Sequence, residues 1–282
     1  MDAIVSVILP THSREELLLQ AIKSVLKQTF QDFELVVIND GSTDGTQVLV
    51  DNIAKQDSRV VRIVNEVNLG LVKSLNKAVR HAKGQYIARI DDDDIWEDSE
   101  KLSRQVAFLD GHADHILVGG GVMRVDAQGK EIMRFMLPER DQDIRRMMLL
   151  NNPFAHAAVM FRKTAWEKSG GYDETLPFSE DWDLWMRFGD FGKYYNFQEY
   201  FLRYLKAGQN KTSDDVRVIR TNTRLNMRLR MRYRKKFPNF LKSFILGWTY
   251  YFSTFLPFRD AMHPLFSKLR RLALGQPAYS AK

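Results

Sequence analysis

The sequence of 282 residues predicts an α/β fold, in which helices flank a mostly parallel central sheet and a helical extension follows at the C-terminal end. Three observations support this fold class. Strand-like apolar runs alternate with helix-like periodic segments up to Trp96. A hydrophobic content of 44% is ordinary for a chain that buries a core. Basic and aromatic residues are concentrated towards the C-terminus.

The first strand, residues 4–9, is almost continuously apolar and ends at Pro10, as expected of a strand covered on both faces. A helix follows, with apolar residues at helical spacing from Leu17 to Leu26. The same cycle then predicts a strand at 33–38, a helix at 46–54, a strand at 60–64, a helix at 71–82 and a strand at 85–90. This alternation is typical of a Rossmann-like sheet, which binds ligands at the carboxyl ends of its strands.

Beyond Trp96 the pattern is less regular, which predicts a mixed second half. We expect helices at 100–109, 141–150 and 181–188, and strands at 116–125, 131–136, 157–161 and 200–204. A polar stretch at 208–215 precedes a basic helical segment at 217–236. The sequence therefore predicts a main domain at 1–207, with halves at 1–98 and 99–207, and a helical extension at 208–282.

The composition limits the chemistry. Cysteine is absent, so any metal must be held by oxygen or imidazole ligands. The N-terminus lacks the basic region of a signal peptide, which predicts a cytoplasmic protein. The net charge of +7 is unevenly distributed, because the residues from Lys211 onward contain 16 Lys and Arg against 3 Asp and Glu. Such an asymmetry indicates a separate surface for an anionic partner.

Four consecutive carboxylates, Asp91-Asp92-Asp93-Asp94, follow the strand at 85–90. They repel one another, and a divalent cation such as Mg²⁺ or Mn²⁺ relieves the conflict, because these ions prefer oxygen ligands. The alternative is a solvated acidic turn that caps the helix beginning near Asp98. Since His12 and Asp40 also follow predicted parallel strands, the sequence favours a ligand site at this edge of the sheet.

The segment Ala88-Arg89-Ile90-Asp91-Asp92-Asp93-Asp94-Ile95 resembles the Asp-x-Asp-Asp motif of the inverting family-two glycosyltransferases, which have the GT-A fold. Four further segments match this family in order and spacing. They are Val5-Ser6-Val7-Ile8-Leu9-Pro10, Val36-Val37-Ile38-Asn39-Asp40-Gly41-Ser42-Thr43-Asp44, Asn68-Leu69-Gly70 with Ser74-Leu75-Asn76, and Gly170-Gly171-Tyr172-Asp173 with Ser179-Glu180-Asp181-Trp182-Asp183-Leu184-Trp185. The similarity covers residues 4–206.

This resemblance implies an enzyme that moves a hexosyl or N-acetylhexosaminyl group, with inversion, from a nucleotide-sugar. A UDP-sugar is the first expectation, and the acceptor is a hydroxyl of a saccharide or a lipid-linked acceptor. Mn²⁺ or Mg²⁺ is the implied cofactor. The implied setting is the synthesis of cell-surface polysaccharide, lipopolysaccharide or glycolipid. The half at 1–98 is expected to bind the nucleotide-sugar, and the half at 99–207 the acceptor.

The resemblance also assigns roles by position. Asp40 is expected to bind the base of the nucleotide. The family carries an aromatic residue and an asparagine after the first proline, whereas this chain has Thr11-His12-Ser13, so His12 would stack on the base in their place. The expected nucleotide-sugar contacts are Pro10, Thr11, His12, Arg14, Asp40, Ser42, Asn68, Arg89, Asp91, Asp92 and Asp93, and the expected metal ligands are Asp93 and Asp94.

Two of these positions are open to more than one interpretation. Arg89 either neutralises the carboxylates and reaches a diphosphate oxygen, or forms a structural ion pair. Asp92 occupies the variable position of the motif, and we expect it to tolerate replacement first.

Transfer to a hydroxyl needs a carboxylate that takes the acceptor proton. Asp181 matches the family's base, with Glu180 sharing or orienting its charge and Asp183 a weaker candidate. The alternative is that these acidic residues line the first turn of a helix. The acceptor is expected to contact His156, Tyr172, Trp182 and Trp185, although aromatic residues in such a segment also build cores.

In the extension, Arg217, Arg220, Arg224, Arg228 and Arg232 recur at helical spacing and predict one cationic stripe. The adjacent apolar and aromatic run at 244–258 is shorter than the roughly 20 residues that a spanning helix needs. Together with flanking basic residues, it predicts docking on an anionic membrane. The alternatives are packing on the main domain and a contact within a homo-oligomer. Nucleic acid is not expected, because no recognition module is visible.

The alternative functions are a sugar nucleotidyltransferase and a non-catalytic scaffold. A sugar nucleotidyltransferase needs a glycine-rich basic loop for a triphosphate near the first strand, and Pro10-Thr11-His12-Ser13-Arg14 does not match one. A non-catalytic, membrane-associated scaffold would not need both the aspartate run and the pair Glu180-Asp181. The sequence therefore favours the glycosyltransferase.

Overall fold

The structure is a computed structural model and describes residues 3–205 and 215–256. Its strands are β1 Val5–Thr11, β2 Phe33–Asp40, β3 Val60–Asn65, β4 Tyr86–Arg89, β5 Asp94–Trp96, β6 His115–Val125, β7 Glu131–Phe135, β8 Met160–Arg162 and β9 Lys193–Leu205. Its helices are α1 Glu15–Leu26, α2 Thr46–Gln56, α3 Leu71–His81, α4 Lys101–Gly111, α5 Asp141–Met147, α6 Lys163–Ser169, α7 Glu180–Phe188, α8 Val216–Arg232 and α9 Phe240–Ser253, with one 3₁₀ turn at His156–Ala158.

All the described strands belong to one sheet, in the order β3-β2-β1-β4-β8-β6-β9-β5, with β7 paired to β6. The first four strands along the chain are parallel neighbours, joined by α1, α2 and α3. This arrangement confirms the predicted α/β fold with a mostly parallel sheet. It also places the ends of β1, β2 and β4 at the same edge.

The sheet is covered on both faces, which explains the continuous apolar character of β1 and β2. Both strands are buried along their whole length. Successive side chains of a strand point to opposite faces, so Ile8 joins the cluster that contains Trp185, whereas Val7 and Leu9 join the opposite cluster. Each of these strands therefore contributes to both halves of the core.

The second half departs from prediction in its short elements. β5 and α6 were not predicted, because three and seven residues are too short for a periodic signal. The predicted strand at 157–161 begins instead as a 3₁₀ turn, in which the amide of Ala158 donates to the carbonyl of Ala155 at 2.9 Å, and β8 starts only at Met160. The helix predicted at 141–150 ends at Met147.

Helices α8 and α9 pack on the main body of the protein. Leu229 and Phe237 belong to the same core cluster as Trp185. The side chain of Arg230 is buried, and its Nε donates to the carbonyl of Leu149 at 2.9 Å. The polar stretch at 208–215 and the basic residues beyond 256 lie outside the described residues, apart from Asp215.

The predicted arginine stripe on α8 is divided by this packing. Arg220 turns towards the end of α9, where its Nη2 donates to the carbonyl of Thr254 at 2.8 Å and its guanidinium lies 3.5 Å from the ring centroid of Phe255.

In residues 3–205 and 215–256, no helix has the length and apolar character needed to cross a membrane.

The loop after β2 makes a close backbone contact with the turn that follows β3. Gly41 has a φ of +68°, and a Cβ at this position would lie 2.6 Å from the amide nitrogen of Asn68. Gly129, in the turn between β6 and β7, has a φ of +78° but open space around its missing side chain. An alanine at Gly129 would therefore meet only the strain of a left-handed backbone, whereas an alanine at Gly41 would also clash with neighbouring backbone atoms.

We expect Gly129→Ala to lower the free energy of unfolding by about 1–2 kcal/mol, the usual cost of a left-handed backbone for other residues. Gly41→Ala should cost a further amount of about 1–3 kcal/mol, because the new methyl group displaces the 67–68 backbone. Urea denaturation of both variants measures the difference. Equal losses of stability would contradict the close contact between the two loops.

Candidate active site

A cleft of about 460 Å³ lies at the carboxyl ends of the parallel strands. It is lined by Pro10, Thr11, His12, Arg14, Asp40, Asn68, Gly70, Leu71, Ser74, Asp91, Asp92, Asp93 and Tyr204. The topology thus brings together most of the residues that were expected to contact a nucleotide-sugar. Ser42 and Arg89 are the two expected contacts that do not line the cleft.

Asp40 ends β2 and organises the turn that leads into α3. Its Oδ1 accepts from Asn65 Nδ2 at 2.9 Å and from the amide of Leu69 at 2.8 Å, and its Oδ2 accepts from the amide of Gly70 at 2.9 Å. Burial opposes ionisation, but these hydrogen bonds outweigh it and lower the pKa of Asp40. The residue is therefore an ionised carboxylate in the cleft wall.

The loop after β1 supplies one aromatic and one cationic side chain. His12 is exposed, and its Nδ1 donates to the backbone carbonyl of Asp40 at 2.8 Å, since a carbonyl only accepts. This bond leaves Nε2 unprotonated in the neutral ring. Ser42 accepts from the amide of Ser13 at 2.9 Å, so it supports the loop.

The aspartate run forms a tight turn between β4 and β5, closed by the amide of Asp94 donating to the carbonyl of Asp91 at 3.3 Å. Arg14 reaches across the cleft and pairs with Asp93, and its Nη1 lies 3.4 Å from Asp92 Oδ1. Burial raises the pKa of Asp92 to about 6, with Arg14 opposing the shift. One arginine thus partly neutralises the middle of the run.

Asp94 is the carboxylate that the protein leaves unsatisfied. It is 1% exposed, and neither of its oxygens has a hydrogen-bond partner among residues 3–205 and 215–256. Burial, followed by repulsion from Asp91 and Asp93, raises its pKa well above the usual range. A buried acceptor without a donor is costly, so this position fits a bound cation.

Protein side chains alone do not complete a metal site. Across residues 3–205 and 215–256, no group of three or more His, Asp or Glu side chains is arranged to hold a metal ion. Mg²⁺ in phosphate-binding sites is commonly held by one or two carboxylates and by the substrate phosphates. The residues present fit that mode of binding.

Arg89, at the end of β4, lies beneath the cleft and is 2% exposed. Both of its terminal nitrogens donate to the carboxylate of Asp91, which makes a bidentate ion pair. Arg89 is therefore buried in an ion pair with Asp91, which matches the structural ion pair given above as the alternative to a diphosphate contact. Burial raises the pKa values of Glu180 and Asp181, and the charge of Arg89 opposes that rise; burial and then Arg89 lower the pKa of His156.

Glu180 and Asp181 form the first turn of α7, and the charges of both Arg89 and Asp91 act on Glu180. Asn152 Nδ2 donates to Asp181 Oδ2 at 2.7 Å. Burial and then the charge of Asp181 raise the pKa of Glu180 to about 7, and burial also raises the pKa of Asp181. The pair can therefore exchange a proton near neutral pH.

Asp183, the third acidic residue of this turn, has a structural role. It is fully buried, accepts from Arg187 Nε at 2.8 Å and accepts from the hydroxyl of Tyr233 at 2.7 Å. Its oxygens are occupied by these internal partners. It is the weakest of the three candidates for a base, as the sequence indicated.

The aromatic residues expected to contact an acceptor are not arranged as an open surface. Trp185 is fully buried, and Trp182 is 4% exposed, with its Nε1 donating to the carbonyl of Met148 at 2.8 Å. Both are core residues, which corrects the expectation of acceptor contacts. Their positions on α7 place both side chains in the core. The sequence alone does not distinguish such core residues from aromatic residues that stack on a sugar ring.

His156 and Tyr172 are neighbours, joined by a hydrogen bond of 2.9 Å between His156 Nε2 and the hydroxyl of Tyr172. Burial and the charge of Arg89 lower the pKa of His156 well below its usual value, and burial raises that of Tyr172. Tyr172 is 3% exposed, so its ring offers no open face either. Both groups are neutral, and the charge of Arg89 acts on both.

Four residues that line the cleft are not among the predicted contacts, namely Gly70, Leu71, Ser74 and Tyr204. The first three follow Asn68 in a segment that had been matched to the family, so the resemblance contained a signal for them. Tyr204 had none. It reaches the cleft because β9 pairs with β5 and sets Tyr204 opposite Asp94.

Residues 6–168 match the family described as "Glycosyl transferase family 2". EpsE of Bacillus subtilis, which is named as a glycosyltransferase, is 36% identical over 69% of this chain and 70% of its own. The amylovoran biosynthesis glycosyltransferase AmsE of Erwinia amylovora is 32% identical over 66% and 70% of the two chains.

Two solved structures share the fold. The mannosyltransferase PcManGT from Pyrobaculum calidifontis, in complex with GDP-Man and Mn²⁺, is 16% identical with a TM-score of 0.63 over 96% of this chain and 74% of its own. Residues 1–349 of S. aureus TarS, in complex with UDP-GlcNAc, are 19% identical with a TM-score of 0.62 over 96% and 88%. With its GT-A fold and its family match, the chain belongs to glycosyl transferase family 2.

Proposed function

We propose that this glycosyltransferase moves a hexosyl or N-acetylhexosaminyl group from a nucleotide-sugar, with a UDP-sugar as the first candidate, to an acceptor hydroxyl with inversion. The observation that carries the proposal is the cleft at the ends of β1, β2 and β4, joined through Arg89 to the carboxylates of α7. Residues 1–98 would bind the donor and residues 99–207 the acceptor. The relative AmsE, named for amylovoran biosynthesis, supports a polysaccharide product.

In this proposal the nucleoside lies along the wall formed by Asp40, with the exposed ring of His12 against the base. An exposed imidazole offers a flat face for stacking, and Asp40 is ionised and able to accept from a base N–H. The diphosphate then points towards the aspartate run. The complexes of PcManGT with GDP-Man and TarS with UDP-GlcNAc support a nucleotide-sugar donor.

A divalent cation, when bound, would act as a Lewis acid that stabilises the charge of the departing nucleoside diphosphate. Asp94, with its unsatisfied buried oxygens, and Asp93 would hold it. Arg14 now pairs with Asp93, so it would move from this carboxylate towards a diphosphate oxygen as the donor binds. Arg89 would keep the acidic wall partly neutralised without touching the substrate.

On the acceptor side, Asp181 would take the proton of the attacking hydroxyl. Asn152 holds its Oδ2 at 2.7 Å and so orients the carboxylate. Burial, followed by the charge of Asp181, raises the pKa of the neighbouring Glu180, because two carboxylates this close are not both easily ionised. The pair is thereby suited to accept a proton near neutral pH.

The cation site makes a first prediction. Burial raises the pKa of Asp94, so the folded state is destabilised at pH values above the pKa of the unfolded chain. In metal-free buffer at pH 8, Asp94→Asn should therefore raise the melting temperature by about 2–4 °C, the shift expected for roughly 1 kcal/mol. The same variant should lose the Mn²⁺-dependent part of UDP binding, as measured by calorimetry.

Asp92→Asn is the matched control, since Asp92 lies in the same turn and at the variable position of the motif. It should keep Mn²⁺-dependent UDP binding within a few-fold of the wild type. If Asp94→Asn bound UDP with unchanged metal dependence, the assignment of the cation site would be wrong.

The catalytic pair makes a second prediction. Transfer needs an ionised base, and burial raises the pKa of Asp181, so kcat/KM should fall about tenfold per pH unit below that raised pKa. Glu180→Gln removes the repulsion on Asp181 and should shift this acid limb to lower pH. Asp181→Asn should lower kcat by about 10²–10⁴-fold and leave UDP binding unchanged.

Asp190→Asn serves as the control for these carboxylate variants. Asp190 follows α7, is 66% exposed in its side chain and pairs with Lys236. Its replacement should leave the rate and the pH profile unchanged. Full transfer activity in Asp181→Asn would exclude Asp181 as the base.

We also propose that α9 docks on an anionic membrane, which would bring the enzyme to a lipid-linked acceptor. This helix carries the exposed apolar side chains of Leu241, Ile245 and Phe252, at 68%, 55% and 61% exposure, and Phe255, 53% exposed, follows its end. Lys242 belongs to the same helix, and Arg234 and Lys235 precede it in the chain. Apolar insertion and attraction to anionic lipid would then act together.

Replacing Ile245 and Phe252 together by Gln should weaken sedimentation with vesicles that contain anionic lipid by at least about tenfold, since each buried apolar side chain contributes about 1.5–3 kcal/mol. The control replaces Val48 and Val67, which are 65% and 63% exposed on the main domain. Loss of binding in both pairs, or in neither, would contradict docking through α9.

A further inference from the structure

A second cavity, of about 480 Å³, lies between α8 and the loop that precedes α7. Three arginines of α8 line it, Arg224, Arg228 and Arg232, and they share one face because they recur every four residues. Thr175 and Thr221 add hydroxyl groups, and Asp173 is the acidic residue of the lining. We call this cavity the arginine groove.

The charges of the arginine groove are not balanced internally. Asp173 accepts from the amide of Thr175 at 3.0 Å and from its hydroxyl at 2.6 Å. Arg232 lies 3.8 Å from Asp173 and 3.7 Å from Asp183, so it is the one arginine of the three with acidic neighbours among the described residues. Arg224 rests over the ring of Tyr251 at 5.2 Å. Arg228 has no acidic partner among the described residues. The groove is therefore a cationic cavity with open hydrogen-bond donors.

The groove adjoins the acceptor side of the proposed active site. The hydroxyl of Ser179 donates to Asn226 Oδ1 of α8 at 2.8 Å, and Ser179 directly precedes the pair Glu180-Asp181. The loop that supplies Asp173 also supplies Tyr172, the partner of His156. The groove is therefore connected to the turn that supplies the proposed base through the contact between Ser179 and Asn226.

The two cavities have opposite charge. The donor cleft contains four carboxylates, and without a cation it repels anions. The arginine groove presents guanidinium groups, which bind phosphate oxygens in a bidentate geometry. An anion in the arginine groove therefore belongs to the second substrate.

We propose that the arginine groove binds a phosphate group carried by the acceptor, so that the acceptor is a phosphorylated molecule. This inference rests on the proposed transfer reaction and adds the chemical class of its acceptor. The phosphate comes either from a prenyl diphosphate lipid or from a phosphate ester within a glycan. Both present the oxygens that Arg224, Arg228 and Arg232 recognise.

The test titrates the full chain in EDTA, where the donor cleft holds no cation. The probes are farnesyl diphosphate with farnesol as its uncharged match, and glycerol 3-phosphate with glycerol. We expect a charged probe to bind more tightly than its match, and Arg224→Gln with Arg228→Gln to weaken it by at least about tenfold. The control, Lys27→Gln with Lys168→Gln, removes the same charge at two exposed positions that line neither cavity, and it should bind as the wild type does.

Binding of farnesyl diphosphate alone would identify the lipid source, and binding of glycerol 3-phosphate as well would identify phosphate esters; both results support the groove. Unchanged binding in the groove variant, or an equal loss in the control, would overturn it. Unaltered melting temperatures exclude unfolding as the cause. Mn²⁺-dependent UDP binding of the wild type, measured in parallel, tests the donor proposal separately, because it does not involve the groove.

Discussion

The site depends on one buried cation, the guanidinium of Arg89. Its ion pair with Asp91 fixes the start of the acidic turn, and its charge acts on Asp94, Glu180, Asp181 and His156. A buried charge is stable only with partners, so the surrounding carboxylates and the arginine require one another. Arg89 can fill this position because β4 lies between β1 and β8 in the sheet. The aspartate run and the carboxylates of α7 are thereby coupled through one side chain.

Much of the cleft could be predicted from the sequence, because parallel strands bring their carboxyl ends to one edge whatever the side-chain details. Asp40 and the aspartate run were found in this way. Tyr204 was not, since its position depends on the pairing of β5 with β9, which are far apart in the chain. Trp182 and Trp185 were misassigned, because a short amphipathic helix does not reveal which of its faces meets the core.

The arginines of α8 show the same limit at another scale. Helical periodicity predicted a single cationic stripe, and the spacing is present. Packing then gives its members different partners, so that Arg220 bonds the carbonyl of Thr254 at the end of α9, whereas Arg224, Arg228 and Arg232 line a cavity. Periodicity places side chains on a face, but only tertiary contacts determine which of them meets solvent.

The contacts of α8 with the main body have a consequence for how variants of this enzyme would behave in a cell. The family match ends at residue 168, yet Tyr233 bonds Asp183, and Arg230 bonds the carbonyl of Leu149. The packed body of the protein therefore extends beyond the segment that matches the family. Substitutions at Arg230 would act mainly by reducing protein abundance through quality control, while each folded molecule kept its chemistry.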